Sequence, residues 1–378
     1  MNEFYNCLDK FNKQIEEILL YLELLELQKN FIAEFENNMH NENSSIYVQK
    51  LSKIQNSTVQ YNALIISIYG CFEEFVNNIA EIYIKNICSF TDEMKFLPIN
   101  ITQKYLNRLS EYLSNPNRFR RFGLDRDKVL ENFYDLFNPS TQISFGKNIC
   151  FLLNHSGNLT NKQVIEFSNE IGIKINFNSF IDNSYFKKYL KDKFQYDDSQ
   201  INVFRRKKIE ENTIFLQLDT LVNERNKVAH GWTIYERISY SVIKDDIISF
   251  LKVYGQTLLE IYIENLINYL FRNKLQFTNK LQFIKLGNII DIFNNNILCV
   301  NNGENLFKVG DFIIAVSKDE TVKNVFRIKS LQINKKNINE ITEKNVDVGI
   351  GFENDKRIKK QWSCTLLNFN LLFKEAHP

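Results

Sequence analysis

Arg225 and His230 stand five residues apart in "ERNKVAHGW" (Glu224–Trp232), in a chain of 378 residues with only four histidines. These two residue types suit the cleavage of RNA. The RNA 2′-hydroxyl is an internal nucleophile. Its attack needs a base for its proton, an acid for the departing 5′-oxygen, and positive charge on the phosphorane between them. A histidine titrates close enough to neutrality to move such protons. An arginine stays charged and grips phosphate oxygens with two N–H groups. One such pair supplies one titrating group. A symmetric dimer that sets two motifs face to face supplies two.

The pair depends on a helix that ends in the right place. Arg225 follows Leu218, Leu221 and Val222 by seven, four and three residues, so it shares their apolar face. A guanidinium there is costly to bury unless it is paired or set at a cavity or interface. His230 is five residues on, about 140° round an unbroken helix, and would not share that face. Gly231 suits the left-handed residue that closes a helix. His230 then falls in a loosened last turn and can bend toward Arg225.

The surrounding elements follow from the spacing of apolar residues. Phe4, Leu8, Phe11, Ile15, Ile18, Leu19, Leu22, Leu25, Leu27 and Phe31 predict one long helix over about 3–39. After the polar break "HNENSS", a second long helix is expected over about 46–87, apolar nearly all round its middle and therefore central to a bundle. Shorter helices are expected over about 89–208. A helix over about 209–229 carries the motif, and a last long one spans about 239–271. Two basic clusters lie in the middle stretch: Arg118, Arg120, Arg121 and Arg126, and Arg205, Arg206, Lys207 and Lys208. They are candidate RNA contacts, with Phe119 and Phe122 available to stack on bases; solvated helix faces would look the same. Beyond about residue 274 the texture changes to short, β-branched, roughly alternating runs, which predict a β domain of about a hundred residues.

Composition bounds what else the chain does. The formal net charge is +2, so any nucleic-acid site is a local patch. Six scattered cysteines with no CxxC pair fit reduced thiols of a cytoplasmic protein, not a zinc site, and no metal or other cofactor is expected. The acidic residues of the first segment do not fit a signal peptide, and "ALIISIYGCF" is too short to span a bilayer. His40 sits in a polar loop, His155 in "LLNHSGN" reads as a helix-end residue, with a second catalytic base as the alternative, and His377 is next to the last residue.

"RNKVAHG" resembles the R-x4-6-H signature of HEPN ribonucleases, with a polar residue after the arginine and a small-His-Gly ending. "LIISIYGCFEEFV" (Leu64 to Val76) is similar to the central helix of the RiboL-PSP-like HEPN group. The resemblance covers about residues 1–271. It implies an all-helical domain over 1–274 with an insertion over about 90–208, a homodimer, and metal-independent endoribonuclease activity in a toxin or antiphage-defence system, with an antitoxin or other defence protein as partner. It makes Arg225 and His230 catalytic, Asn226 a support, and Glu74 a candidate to orient Arg225. Some members only dimerise or bind nucleotides or partners, which is the alternative.

The last segment, 275–378, resembles domain 2 of translational GTPases such as elongation factor Tu. The match runs through Val309-Gly310-Asp311 and Ile313, then Ile328, Ser330, Leu331, Gln332, Lys335, Ile338 and Glu340, to Val348-Gly349-Ile350. Lys344 or Asn345 stands where those relatives have a glycine. The resemblance implies a small closed β-barrel. With no GxxxxGK[ST] loop in the chain, it implies no GTPase. The expected architecture is therefore multidomain α plus β, a helical bundle followed by a barrel, acting on tRNA or ribosomal RNA and not on a membrane.

Overall fold

The computed structural model describes residues 2–38, 42–55, 57–91, 93–137, 143–155, 157–207, 211–231, 237–273, 282–294, 296–318, 323–352 and 358–368. His40, Lys208, His377 and the expected domain boundary at 274–280 lie outside these. So do the side chains of Arg121, Arg205, Arg206 and Lys207.

The first helix, α1 (Asn2–Asn38), buries Phe4, Leu8, Phe11, Ile15, Ile18, Leu22 and Leu25. The alternating four-and-three spacing of these residues keeps one stripe facing inward. The expected second helix is two: α2 (Glu42–Gln55) and α3 (Thr58–Phe90). Ser57 makes the break. Its backbone is extended and its hydroxyl accepts from Gln60 N, so it caps α3 and cannot continue α2. The middle of α3 packs between α1 and the last long helix, burying Leu64, Ile65, Ile68, Tyr69, Phe72, Phe75 and Val76, but it is not buried all round: Ala63, Ile66, Ser67, Gly70 and Glu74 leave one stripe exposed.

The insertion holds α4 (Ile99–Ser114), α5 (Arg126–Asp135), α6 (Cys150–Leu153), α7 (Asn161–Glu170), α8 (Phe177–Ile181), α9 (Ser184–Phe194) and α10 (Asp198–Lys207). Aromatic contacts pack it: Tyr105 lies against Phe133, Phe145 and Phe151. The buried Asn148 donates to Tyr105 Oη at 2.9 Å. After α11 (Glu211–Ile214) comes the motif helix α12 (Leu216–Ala229). The chain then forms α13 (Tyr240–Val242), a π-helical turn (Ile243–Ile248) and α14 (Ser249–Arg272), one helical path with a wider turn inside it. No described helix is long and apolar enough to cross a membrane.

Nine strands follow among the described residues: β1 (Gln282–Lys285), β2 (Ile289–Phe293), β3 (Ile297–Asn301), β4 (Phe312–Val316), β5 (Lys323–Arg327), β6 (Ser330–Ile333), β7 (Lys336–Ile338), β8 (Asp347–Gly351) and β9 (Ser363–Asn368). They pair antiparallel in two sheets, ordered β1-β9-β4-β5 and β2-β3-β8-β6-β7. This corrects the expectation of a closed barrel: among the described residues the two sheets share no ladder. They face each other instead, with Ile313, Ala315 and Phe326 of one packed on Leu298, Val348 and Ile350 of the other. The turn Val309-Gly310-Asp311 leads into β4, and Lys308 N donates to Asp311 Oδ2 at 2.9 Å. Asn345 takes a left-handed φ of 58° where a glycine was missing.

All five residues of β4 are buried. One face lies in the sheet–sheet core. The other, Phe312, Ile314 and Val316 with Val325 and Leu367, belongs to the core of the helices. The guanidinium of Arg327 lies 4.0 Å from the centre of the Tyr5 ring, and Lys323 Nζ lies 5.0 Å from that of Phe271. A polar cleft of about 450 Å³ runs along this seam.

Candidate active site

The site is built on the C-terminal end of α12, where it crosses α3. Leu218, Leu221 and Val222 are buried, and Arg225 on the same face is partly exposed. The guanidinium lies over the Tyr69 ring of α3, 5.1 Å from its centre, and its Nη1 is 3.5 Å from Asn226 Oδ1. Both contacts leave N–H groups available for an anion, since neither is a carboxylate. Burial pushes the Tyr69 hydroxyl above its usual pKa, while Arg225 acts the other way.

The helix ends as its sequence indicates. His230 N donates to Asn226 O at 3.0 Å and Gly231 N to Val228 O at 3.2 Å. Gly231 has a φ of +64°, the left-handed conformation that a side chain would strain. His230 has left helical geometry at φ −89° and ψ 3°, and it is exposed. A titrating ring thus stands at the exposed end of a helix whose preceding turn carries a fixed cation.

Glu74 is not part of this group. It faces α1, where Lys10 donates at 2.5 Å and Gln14 at 3.3 Å, and the Lys10 hydrogen bond holds its carboxyl below the usual range. Successive helical residues point about 100° apart, so in "FEEF" only one glutamate can face the motif. That one is Glu73, one turn beyond Tyr69. Its Oε1 is 3.6 Å from His155 Nε2.

The structure brings in residues that the sequence reading passed over. Asn158 Nδ2 donates to Asn226 Oδ1 at 2.5 Å, and Leu159 N to Tyr69 Oη at 3.0 Å. Glu224 is buried next to Arg225; its carboxylate accepts from Tyr61 Oη at 2.7 Å and Lys227 Nζ at 2.5 Å. Tyr61 also accepts from Ile238 N at 3.3 Å, and Arg237 donates to Thr58 Oγ1 at 2.6 Å. These bonds tie the start of α3 to both sides of the motif. Of this set, the one-turn spacing of Tyr69 and Glu73 was the available sequence signal.

The basic cluster of the insertion divides. Arg120 and Arg126 are exposed, and Arg118 is exposed but paired with Glu111, which also takes Arg108. Phe119 is buried against Tyr112 and Phe151, so the expectation that it stacks on bases is corrected: it is core. Phe122 is partly buried and packs on Phe119.

A family model described as RiboL-PSP-HEPN matches residues 32–265. A search of curated proteins found no match. Among solved structures, the C-terminal domain of a Geobacillus thermoleovorans protein assigned as a U32 peptidase is 14% identical, covers 24% of this chain and 96% of that chain, and has a TM-score of 0.19. Its selenomethionine variant is 13% identical, with 22% and 95% covered and a TM-score of 0.18. GDP-bound aIF5B from Aeropyrum pernix is 12% identical, over 44% of this chain and 30% of that chain, with a TM-score of 0.18. Scores this low decide neither fold nor function.

Proposed function

We propose a function from one premise: the chain belongs to the RiboL-PSP-HEPN family. It is a metal-independent endoribonuclease of a toxin or antiphage-defence system, and it works as a homodimer. The observation that carries this reading is the end of α12, where Arg225 is held on Tyr69 and Asn226 while Gly231 turns the chain and leaves His230 exposed.

In this reading one histidine takes the proton of the RNA 2′-hydroxyl. O2′ bonds to phosphorus, the bond from phosphorus to O5′ breaks, and O5′ receives a proton from the second protomer's copy of the motif. Arg225 holds the two non-bridging oxygens as charge builds on them, and Asn226 accepts from Arg225. Residues 1–274 form the HEPN-like unit. Residues 275–378 form the translation-factor-like module, which engages a structured RNA, tRNA or ribosomal, or an activating protein partner. Arg120 and Arg126, exposed on the insertion, and the basic run at 205–208 are further RNA contacts in this reading.

The test is end-mapping of RNA from cells that express wild type or His230→Ala. Wild type should give 2′,3′-cyclic phosphate and 5′-hydroxyl ends, and purified protein should give the same ends with EDTA present. His230→Ala should lower the rate by about 10²–10⁴-fold, the usual worth of a proton-transfer group. Equal cleavage by His230→Ala would sink the reading and leave a dimerisation or nucleotide-binding role.

A further inference from the structure

His155 lies 70 residues before Arg225, yet it belongs to the same group of side chains. Beyond α6, the loop Gly157–Leu159 bonds to both α12 and α3. His155 is held on several sides. The Nδ1–H of His155 donates to Gly157 O at 2.9 Å, Nε2 faces Glu73 Oε1 at 3.6 Å, and the ring meets Phe167 edge to face at 5.6 Å between centres. The side chain is only 12% exposed. Gly157 has a φ of +89°, which lets the chain turn back at once.

That turn delivers two contacts. Arg225 lies against two groups, the Tyr69 ring and the Asn226 amide oxygen. Both are held from behind by this one loop: Leu159 N donates to Tyr69 Oη, and Asn158 Nδ2 donates to Asn226 Oδ1. An unsupported arginine side chain turns about four bonds. A displacement of about 1 Å in a group that holds the reacting phosphate costs on the order of a hundredfold in rate. The loop is therefore placed to set where the guanidinium points.

We propose that His155 is a positioning residue: by bonding to Gly157 O it seats Asn158 on Asn226 and Leu159 on Tyr69, and so fixes Arg225. This deepens the endoribonuclease reading and rests on it for its kinetic test. A helix-end histidine that only filled space would leave Arg225 indifferent to the replacement of His155 in a folded chain.

The experiment uses the full chain as wild type, Asn158→Ala, His155→Ala and His155→Asn. Cleavage of an RNA that the wild type cuts is measured with kcat and KM separated. The Nε–H resonance of Arg225 is followed by NMR and assigned by its loss in Arg225→Lys. Asn158→Ala and His155→Ala should lower kcat by about 10–100-fold, with KM little changed, and should shift the Arg225 resonance. His155→Asn keeps a donor for Gly157 O and should recover most of the kcat lost in His155→Ala. Thermal midpoints identify any variant that has unfolded. Should His155→Ala unfold, Asn158→Ala, which leaves the His155 contacts intact, carries the test. An unmoved Arg225 resonance and an unchanged kcat in Asn158→Ala overturn the proposal. An absence of His230-dependent cleavage in wild type overturns the endoribonuclease reading instead, and the NMR shifts then still decide the positioning role.

Discussion

Glu73 and Glu74 are neighbours in sequence and partners of different elements, one turned to His155 and the other to Lys10. Nothing local separates them, because adjacent helical residues differ only in direction. The choice is made by what α3 packs against on each side. We expect Glu74→Gln to leave the rate of RNA cleavage unchanged and Glu73→Gln to slow it, in the same assay that compares His230→Ala. Glu224 gives a second prediction at this scale. It is 4% exposed and bonded to Tyr61. Tyr61→Phe removes a hydrogen bond to a buried carboxylate, and urea denaturation should show a loss of about 1.5–3 kcal/mol. Arg225's face and the role of Gly231 were legible because both follow from local periodicity and backbone preference. The partners Asn158 and Tyr61, 68 and 163 residues from their counterparts on α12, were not. No local pattern encodes such a distance.

Ser57 decides the count of long helices. The hydrophobic period continues across "IQNSTVQ", so periodicity alone reads one helix. The competing signal is a serine three residues before a glutamine, a capping pattern. The cap won because its hydroxyl supplies a partner for a backbone N–H that the start of a helix leaves unpaired. Ser57→Ala should cost about 1 kcal/mol, read as a lower thermal midpoint. In the β-module the turn before β4 yields a pH prediction. Burial raises the Asp311 carboxyl above the usual aspartate value of 3.8. The folded chain then holds that proton more tightly than the unfolded chain. Stability associated with this group is present below 3.8 and is lost as pH rises through the raised value. Asp311→Asn, which retains an acceptor for Lys308 N, should match wild type at low pH. Its melting temperature should pull ahead of wild type as pH rises toward neutrality. The strands themselves were legible in their alternation. The two separate sheets were not, since closure is a property of pairing between strands far apart in the chain.

At the scale of the whole molecule, β4 joins the two halves by belonging to both cores. Its five apolar residues read, with the other strands, as roughly alternating, whereas all five are buried; a continuous apolar run is the signal of a strand covered on both faces. Ile314 is fully buried on the helix side. Ile314→Ala should cost about 2–5 kcal/mol. Calorimetry of the wild type should show one cooperative transition; two resolved transitions would mean that the shared face does not couple the halves. The same strand also sets a schedule for synthesis. Translation at about 5–20 residues per second leaves roughly 5–20 s between the emergence of Phe271 and that of Leu367. During that interval the helical half, including Arg225 and His230, is already made, while the face that β4, β5 and β9 will cover is still open to solvent. The newborn chain therefore passes through a stage in which its apolar side is available to a chaperone, and each delay in finishing the last hundred residues prolongs that exposure.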